Sequence, residues 1–260
     1  MIYFFTISIF FFGLIIGSFL NALIYRMHEN VSMMGRSFCP QCKHQIAWYD
    51  NVPVFSFLFL AGKCRYCKKK ISWQYPLVEL TTGALFALAF YLNSTDLFLL
   101  TFNFQLLTFL RDLFFISIMI IVFIYDLKWF LILDRITLPA MGIIFLLNII
   151  LGYSWVNLFL GALFGGGFFL FQFLVSRGRW IGGGDIRLGL LMGLMFSWPM
   201  ILVATFLAYL IGSVISVFLL IFGKKKWDSQ VPLGIFLTTS SIFTLFWGSQ
   251  ILSWYLNLIY

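Results

Sequence analysis

The sequence predicts an all-α polytopic integral membrane protein of about eight transmembrane helices, with a small four-cysteine cytoplasmic domain between the first two. Three observations carry this. Of 260 residues, 62% are hydrophobic and only 10% charged, whereas a soluble domain needs about 25% charged residues to cover its surface. With 34 Phe, 11 Tyr and 9 Trp, the chain holds far more apolar area than a disordered one. Finally, apolar runs of spanning length alternate with polar loops, and every cysteine lies in the one long polar segment.

Residues 2–25 form the first run, 76–93 the second and 97–125 the third, the last interrupted by Arg111 and Asp112. Further runs lie near 136–153, 155–176, 186–198, 200–222 and 233–257. Period-2 alternation is absent, which excludes a barrel. The chain therefore divides into helix 1 (1–25), a polar domain (26–75) and helices 2–8 (76–260). The first run has no basic n-region and no small-residue cleavage site after it, so it reads as an anchor. Eight spans place 26–75, 126–135, 177–187 and 223–230 on one face, and those loops hold 16 of the 17 Lys and Arg. The positive-inside rule puts them in the cytoplasm and both termini outside. Loop orientation and anionic lipid account for the +8 charge without nucleic acid. Gly13/Gly17, Gly161/Gly165 and Gly189/Gly193 are spaced for close helix approach, and Gly165-Gly166-Gly167 reads as a joint within its span.

Cys39-Pro-Gln-Cys42 and Cys64-Arg-Tyr-Cys67 are two CxxC pairs separated by 21 residues. Four thiolates in two such knuckles match tetrahedral zinc in a zinc-ribbon-like domain. A segment of about 50 residues is too small for a self-sufficient core, and a metal supplies the missing folding energy. Two disulfides or a redox pair are the rival, opposed by the reducing compartment. Four thiolates leave no open position, so the metal is structural. His44, nearby, reads as solvated and not as a ligand.

The nine acids can be taken singly. Glu29, Asp50, Asp96 and Asp228 fall in polar loops, and Asp112 pairs locally with Arg111. Glu79, Asp126, Asp134 and Asp185 lie at cytoplasmic helix ends, where an ionisable group is expensive unless used. Asp134 and Asp185 also suit helix capping. Asp185 follows Gly182-Gly183-Gly184, a run whose backbone can approach another chain closely. Two carboxylates sharing a proton are the aspartic-protease arrangement. Spacing alone does not show that Asp126 and Asp185 meet.

Further blocks run through the chain: Gly17-Ser-Phe-Leu-Asn21-Ala-Leu-Ile-Tyr-Arg26, Cys39-Pro-Gln-Cys42, Trp48-Tyr-Asp-Asn51-Val-Pro53-Val-Phe-Ser56 and Gly62-Lys-Cys64-Arg-Tyr-Cys67. They continue through Tyr75-Pro76-Leu-Val-Glu79-Leu, Gly182-Gly183-Gly184-Asp185 and Val231-Pro232-Leu-Gly234-Ile-Phe236-Leu. Taken together, these blocks resemble the type IV prepilin peptidases, bacterial membrane aspartic proteases with a GxGD signature. The resemblance implies Asp126 and Asp185 as the catalytic pair, with Gly182, Gly183 and Gly184 as supporting loop. Leu133 stands where the family usually has proline and Ile136 where it has leucine, which keeps Asp134 as the alternative first aspartate. Implied substrates are prepilins and pseudopilins, cut behind a basic leader at the cytoplasmic face of the bacterial plasma membrane. Many members with the four-cysteine domain also N-methylate the new N-terminus from S-adenosylmethionine, so the resemblance implies that activity too. No Rossmann-type unit is present, and Asn21, Arg26 and Glu79 are the residues to test for methyl transfer, their alternative being a structural polar cluster. The competing readings are a peptidase without methyl transfer, a non-enzymatic zinc-knuckle scaffold, a thiol–disulfide oxidoreductase and a transporter.

Overall fold

The computed structural model describes residues 2–97, 102–222 and 231–259. Its helices are α1 (Ile2–His28), α2 (Phe55–Phe59), α3 (Gln74–Leu97), α4 (Phe102–Trp129), α5 (Asp134–Ile150), α6 (Trp155–Ser176), α7 (Gly183–Ile221) and α8 (Leu233–Ile259), and there is no strand among the described residues. Six of them are long and apolar enough to cross a membrane: all but α2 and the 17-residue α5. Each of the eight apolar runs expected from the sequence holds a helix among its described residues, the two between 186 and 222 sharing α7. The basic loop at 223–230, with Asp228, lies outside the described residues, as does the side chain of Asp96.

The chain forms two compact units, Met1–Phe102 and Asn103–Tyr260. The division falls after α3, which packs with α1 in the first unit. The reason is glycine contact between α1 and α3. A Cβ on Gly13 would sit 2.7 Å from the Cα of Gly83, and one on Gly17 would sit 2.7 Å from the Cα of Glu79. Lipid supplies no hydrophobic force between spans, so such close van der Waals contact is what joins them.

In unit 2 the same device joins α6 to α7. A Cβ on Gly189 would meet the Gly165 carbonyl oxygen at 2.6 Å, and one on Gly161 would meet that of Gly193 at 2.5 Å. These pairings run α6 and the first half of α7 antiparallel. α6 continues unbroken through Gly165-Gly166-Gly167, where Gly165 lies against Gly189 and Gly166 against Leu190. α6 ends where Arg177 adopts φ 53° and Gly178 φ 74°, and the Gly178 N–H returns to the Phe173 carbonyl at 2.8 Å.

α7 does not continue straight. Ser197 (φ 55°, ψ −177°) and Trp198 (φ −85°, ψ 138°) break it, and Pro199 brings no N–H. A straight helix would carry Tyr209 about 18 Å beyond Ser197. Instead Trp198 packs on Phe164, and Tyr209 packs on Phe168 and bonds Gln172 at 2.8 Å. The chain has reversed, so α7 is a helical hairpin whose halves both lie on α6.

The break leaves carbonyls without their helical donors, and a buried polar network meets one of them. Asn148 of α5 donates from Nδ2 to the Leu194 carbonyl at 2.7 Å and accepts Arg111 Nη1 at 2.7 Å. Arg111 also holds Asp112 at 2.8 Å, as the sequence led us to expect, within α4. An ion pair inside a span is costly unless fully satisfied, and this one ties α4, α5 and the α7 turn together. The apolar core of this unit includes Phe115, Met119, Ile144, Phe169, Met192 and Ala204.

Gly193→Val should lower thermal stability by about 1–3 kcal/mol, the usual scale of overpacking. Gly167→Val, where a Cβ meets nothing within 4 Å, should change it little. Melting of the purified protein in detergent by intrinsic fluorescence compares the two.

Candidate active site and metal centre

Asp126 lies one turn from the end of α4, and its side chain is buried. The α8 N-terminus faces it. The Ile235 N–H donates to Asp126 Oδ2 at 3.1 Å, using one of the backbone donors that a helix start leaves unpaired. Gly234 makes the approach feasible, since a Cβ there would stand 2.6 Å from the same oxygen.

Asp185 is the third residue of α7 and is buried likewise. Its Oδ2 accepts the Gly182 N–H at 2.9 Å. This is the carboxylate half of a capping box, so the bland capping role foreseen for Asp185 is real. It does not exhaust the residue, because Asp126 and Asp185 lie within electrostatic reach of one another. The three glycines are not equivalent. A Cβ on Gly184 would fall 2.8 Å from the Cβ of Ile132, in the loop after α4; one on Gly183 meets nothing, and one on Gly182 makes only ordinary contact. Packing of Gly184 on Ile132 brings the start of α7 against the end of α4, and with it one carboxylate toward the other.

Asp134, the alternative first aspartate, is half-exposed and paired with Arg187 at 2.7 Å, across to α7 and not to its neighbour Arg135. The residues that sequence reasoning left without a role are Gly234, Ile235 and Ile132. Gly234 stood in a recognisable block, but nothing local to it announces a carboxylate over a hundred positions away.

In unit 1 the four cysteine sulfurs lie within 4.8 Å of one another, with Cys39 and Cys67 Sγ 3.9 Å apart. Tetrahedral coordination at about 2.3 Å requires sulfurs about 3.8 Å apart. The knuckles repeat one hydrogen-bond pattern. Cys39 N–H donates to His44 and Lys43 N–H returns to Cys39, while Cys64 N–H donates to Lys69 and Lys68 N–H returns to Cys64. Amides of Cys67 and Tyr66 hold the Cys64 thiol down at about 7. Against the His44 amide, which lowers it, desolvation and the Cys39 and Cys67 sulfurs push Cys42 up to about 11. Sulfurs this close resist joint ionisation until a cation is among them, so the group fits a metal ion. His44 lies outside it, its ring tilted against that of Tyr66 with centroids 3.6 Å apart.

Asn21, Arg26 and Glu79 turn to separate protein partners. Asn21 bonds the Tyr75 carbonyl at 3.0 Å and Gln74 Nε2 at 3.2 Å. Arg26 bonds the carbonyls of Met33, Gly35 and Arg36. Glu79, buried, accepts the Val54 N–H at 2.7 Å, where Val54 adopts φ 62° ahead of α2. Asp50 departs from the solvated position expected of it. Its side chain is covered by Arg65 at 2.6 Å, whose guanidinium holds it below the usual carboxylate range.

Residues 11–93 match the Bacterial Peptidase A24 N-terminal domain and residues 113–217 match the Type IV leader peptidase family. These ranges fall one in each unit. Among curated relatives, a prepilin leader peptidase/N-methyltransferase of Bacillus subtilis is 31% identical over 96% of this chain and 97% of its own. That of Aeromonas hydrophila is 30% identical over 96% and 93%, and that of Klebsiella pneumoniae 36% over 72% and 82%. No solved structure matches the chain significantly.

Elemental analysis of the purified full chain should find about one tetrahedrally bound metal ion per molecule. Cys39→Ser should lose most of it, because three thiolates bind far more weakly than four.

Proposed function

Because the chain belongs to the type IV leader peptidase family, we propose that Asp126 and Asp185 are its catalytic pair. The protein is a multi-pass inner-membrane prepilin leader peptidase and N-methyltransferase. The observation that supports the pair is geometric: two buried carboxylates at one end of unit 2, each steadied by a backbone amide at a helix start, with Gly184 packed on Ile132 to bring the start of α7 against the end of α4.

Two carboxylates sharing a site do not readily ionise together, and one proton held between them suits peptide hydrolysis. Water adds to the carbonyl of the scissile peptide, one carboxylate takes its proton, and the protonated partner donates to the carbonyl oxygen. Collapse of the tetrahedral carbon breaks the C–N bond, and the departing amine receives the first proton. No acyl-enzyme forms. The amides at Ile235 and Gly182 keep each carboxylate aimed through the cycle.

The cysteine group is assigned zinc in a structural role, since its four ligands leave no open position. Orientation follows from loop charge: the zinc domain and the carboxylates face the cytoplasm and the termini face outward. Prepilins and pseudopilins are the substrates, in contact with membrane lipid and with no part for nucleic acid. S-adenosylmethionine is the methyl donor that the second activity requires. Asn21, Arg26 and Glu79 are already committed to protein partners, so we assign them to holding unit 1 together and route no step of methyl transfer through them.

Cleavage of a co-expressed prepilin, read by gel, with the mature N-terminus read by mass spectrometry, tests this assignment. Asp126→Asn and Asp185→Asn should each lose about a thousandfold or more. Asp134→Asn, which breaks only a half-exposed ion pair, should stay within about fivefold of the original. Full activity in either of the first two variants would overturn the pair. Gly234→Ala should lose about a hundredfold while still folding, because its methyl must displace the Asp126 carboxylate.

A further inference from the structure

The short helix α2 carries its apolar residues outward. Phe55, Leu58 and Phe59 stand at the i, i+3 and i+4 positions of one helix face, and they are 45%, 64% and 86% exposed. Phe57 turns the other way, onto Trp73 with ring centroids 5.0 Å apart. The stripe lies in the polar segment between α1 and α3, outside the six helices long and apolar enough to span. A surface that faces water seldom carries such a stripe.

Contacts at both ends hold α2 beside the entry of α3. Ahead of it, the Val54 N–H donates to Glu79 Oε2 at 2.7 Å. Val54 adopts φ 62° to do so, a region that a β-branched residue rarely enters, so this contact is kept against a backbone cost. After it, the Ile71 N–H donates to the Gly62 carbonyl at 2.8 Å and folds the chain back toward Gln74, where α3 begins. The candidate span of α3 starts at Gln74, which puts Glu79 about 7.5 Å along it. Helices that lie in the membrane surface seat their apolar face about 5–10 Å into the boundary between headgroups and acyl chains. The tether to Glu79 therefore sets α2 alongside the part of α3 that crosses this boundary.

Charge around the stripe identifies what covers it. Between Asn51 and Trp73 the chain has Lys63, Arg65, Lys68, Lys69 and Lys70 and no acid. Asp50 engages Arg65. The four lysines are exposed, and Lys63 and Lys70 stand side by side across the bridge that closes the second knuckle. An apolar stripe flanked by lysines matches a surface of acyl chains under anionic headgroups, which attract basic groups next to a span. A second copy of this chain would set lysine against lysine, and like charges oppose that pairing.

We propose that α2 is an in-plane membrane anchor of the four-cysteine domain, with Phe55, Leu58 and Phe59 seated among the acyl chains at the bilayer surface and Lys63 and Lys70 on anionic lipid headgroups. The proposal does not depend on the assignment of Asp126 and Asp185.

The test places the photo-crosslinker p-benzoylphenylalanine at position 59 of the full chain, where the side chain is exposed and its exchange leaves packing intact. The protein is reconstituted into vesicles of phosphatidylcholine and phosphatidylglycerol in equal parts, irradiated, and its adducts are identified by mass spectrometry. Most adducts should be lipid, and phosphatidylglycerol should exceed phosphatidylcholine among them about threefold or more, the scale of one or two lysine contacts at an anionic surface. Lys63→Gln together with Lys70→Gln should keep the attachment to lipid and bring the two lipids toward equal capture. Attachment to another part of the chain or to a second copy in place of lipid, or no attachment, overturns the anchor. Equal capture of the two lipids by the chain that keeps both lysines, or a preference that the glutamine variant leaves unchanged, overturns the role given to the lysines and with it the proposal.

Discussion

Backbone contact between α6 and α7 is the constraint on which the rest of unit 2 depends. In lipid, apolar side chains gain nothing by leaving one another's company for the acyl chains, so helices associate where their surfaces fit. Gly161 and Gly165 meet Gly193 and Gly189 with no room for a single methyl group. That contact fixes how far the first half of α7 runs along α6, and hence where Asp185 stands. It also seats the turn at Ser197, which lies against Gly161, and so returns the second half of α7 toward the same end.

The two ends of the unit use buried polarity differently. At the turn, Arg111, Asp112 and Asn148 satisfy one another and an orphaned carbonyl, an arrangement that holds three helices in one relation. At the other end, Asp126 and Asp185 each have an oxygen committed to a backbone amide of a helix start. The positive end of a helix favours an anion, which offsets part of the cost of a carboxylate in this setting. Close approach is the shared requirement: Gly234 admits the Asp126 side chain, and Gly184 admits Ile132.

Some features were legible before any coordinates. The paired CxxC spacing announced a cluster, because a tetrahedral ion needs four soft ligands and two turns to deliver them. The glycine pairs announced helix contacts, because small residues at that spacing form a groove. Other features were not. Asp134 and Asp126 are alike in sequence, and only the structure shows Arg187 beside one and the start of α8 against the other. Asp50 looked like a loop acid until Arg65 was seen to cover it. The triple glycine at 165–167 reads as a joint because glycine is permissive, and only the structure shows Gly165 and Gly166 closely approached by α7.

The sequence by itself determined the solvent, the helices, the family and the grouping of the four cysteines. Composition, run length and local spacing are properties of neighbouring residues, and the physics that acts on them is local. Only the tertiary structure decided that α7 turns back on itself, that α3 belongs with α1, and that the amide of Ile235 reaches Asp126. Each of these joins residues far apart in the chain by contact between backbones. No propensity or period within a segment encodes such a contact, because it exists only when two surfaces fit.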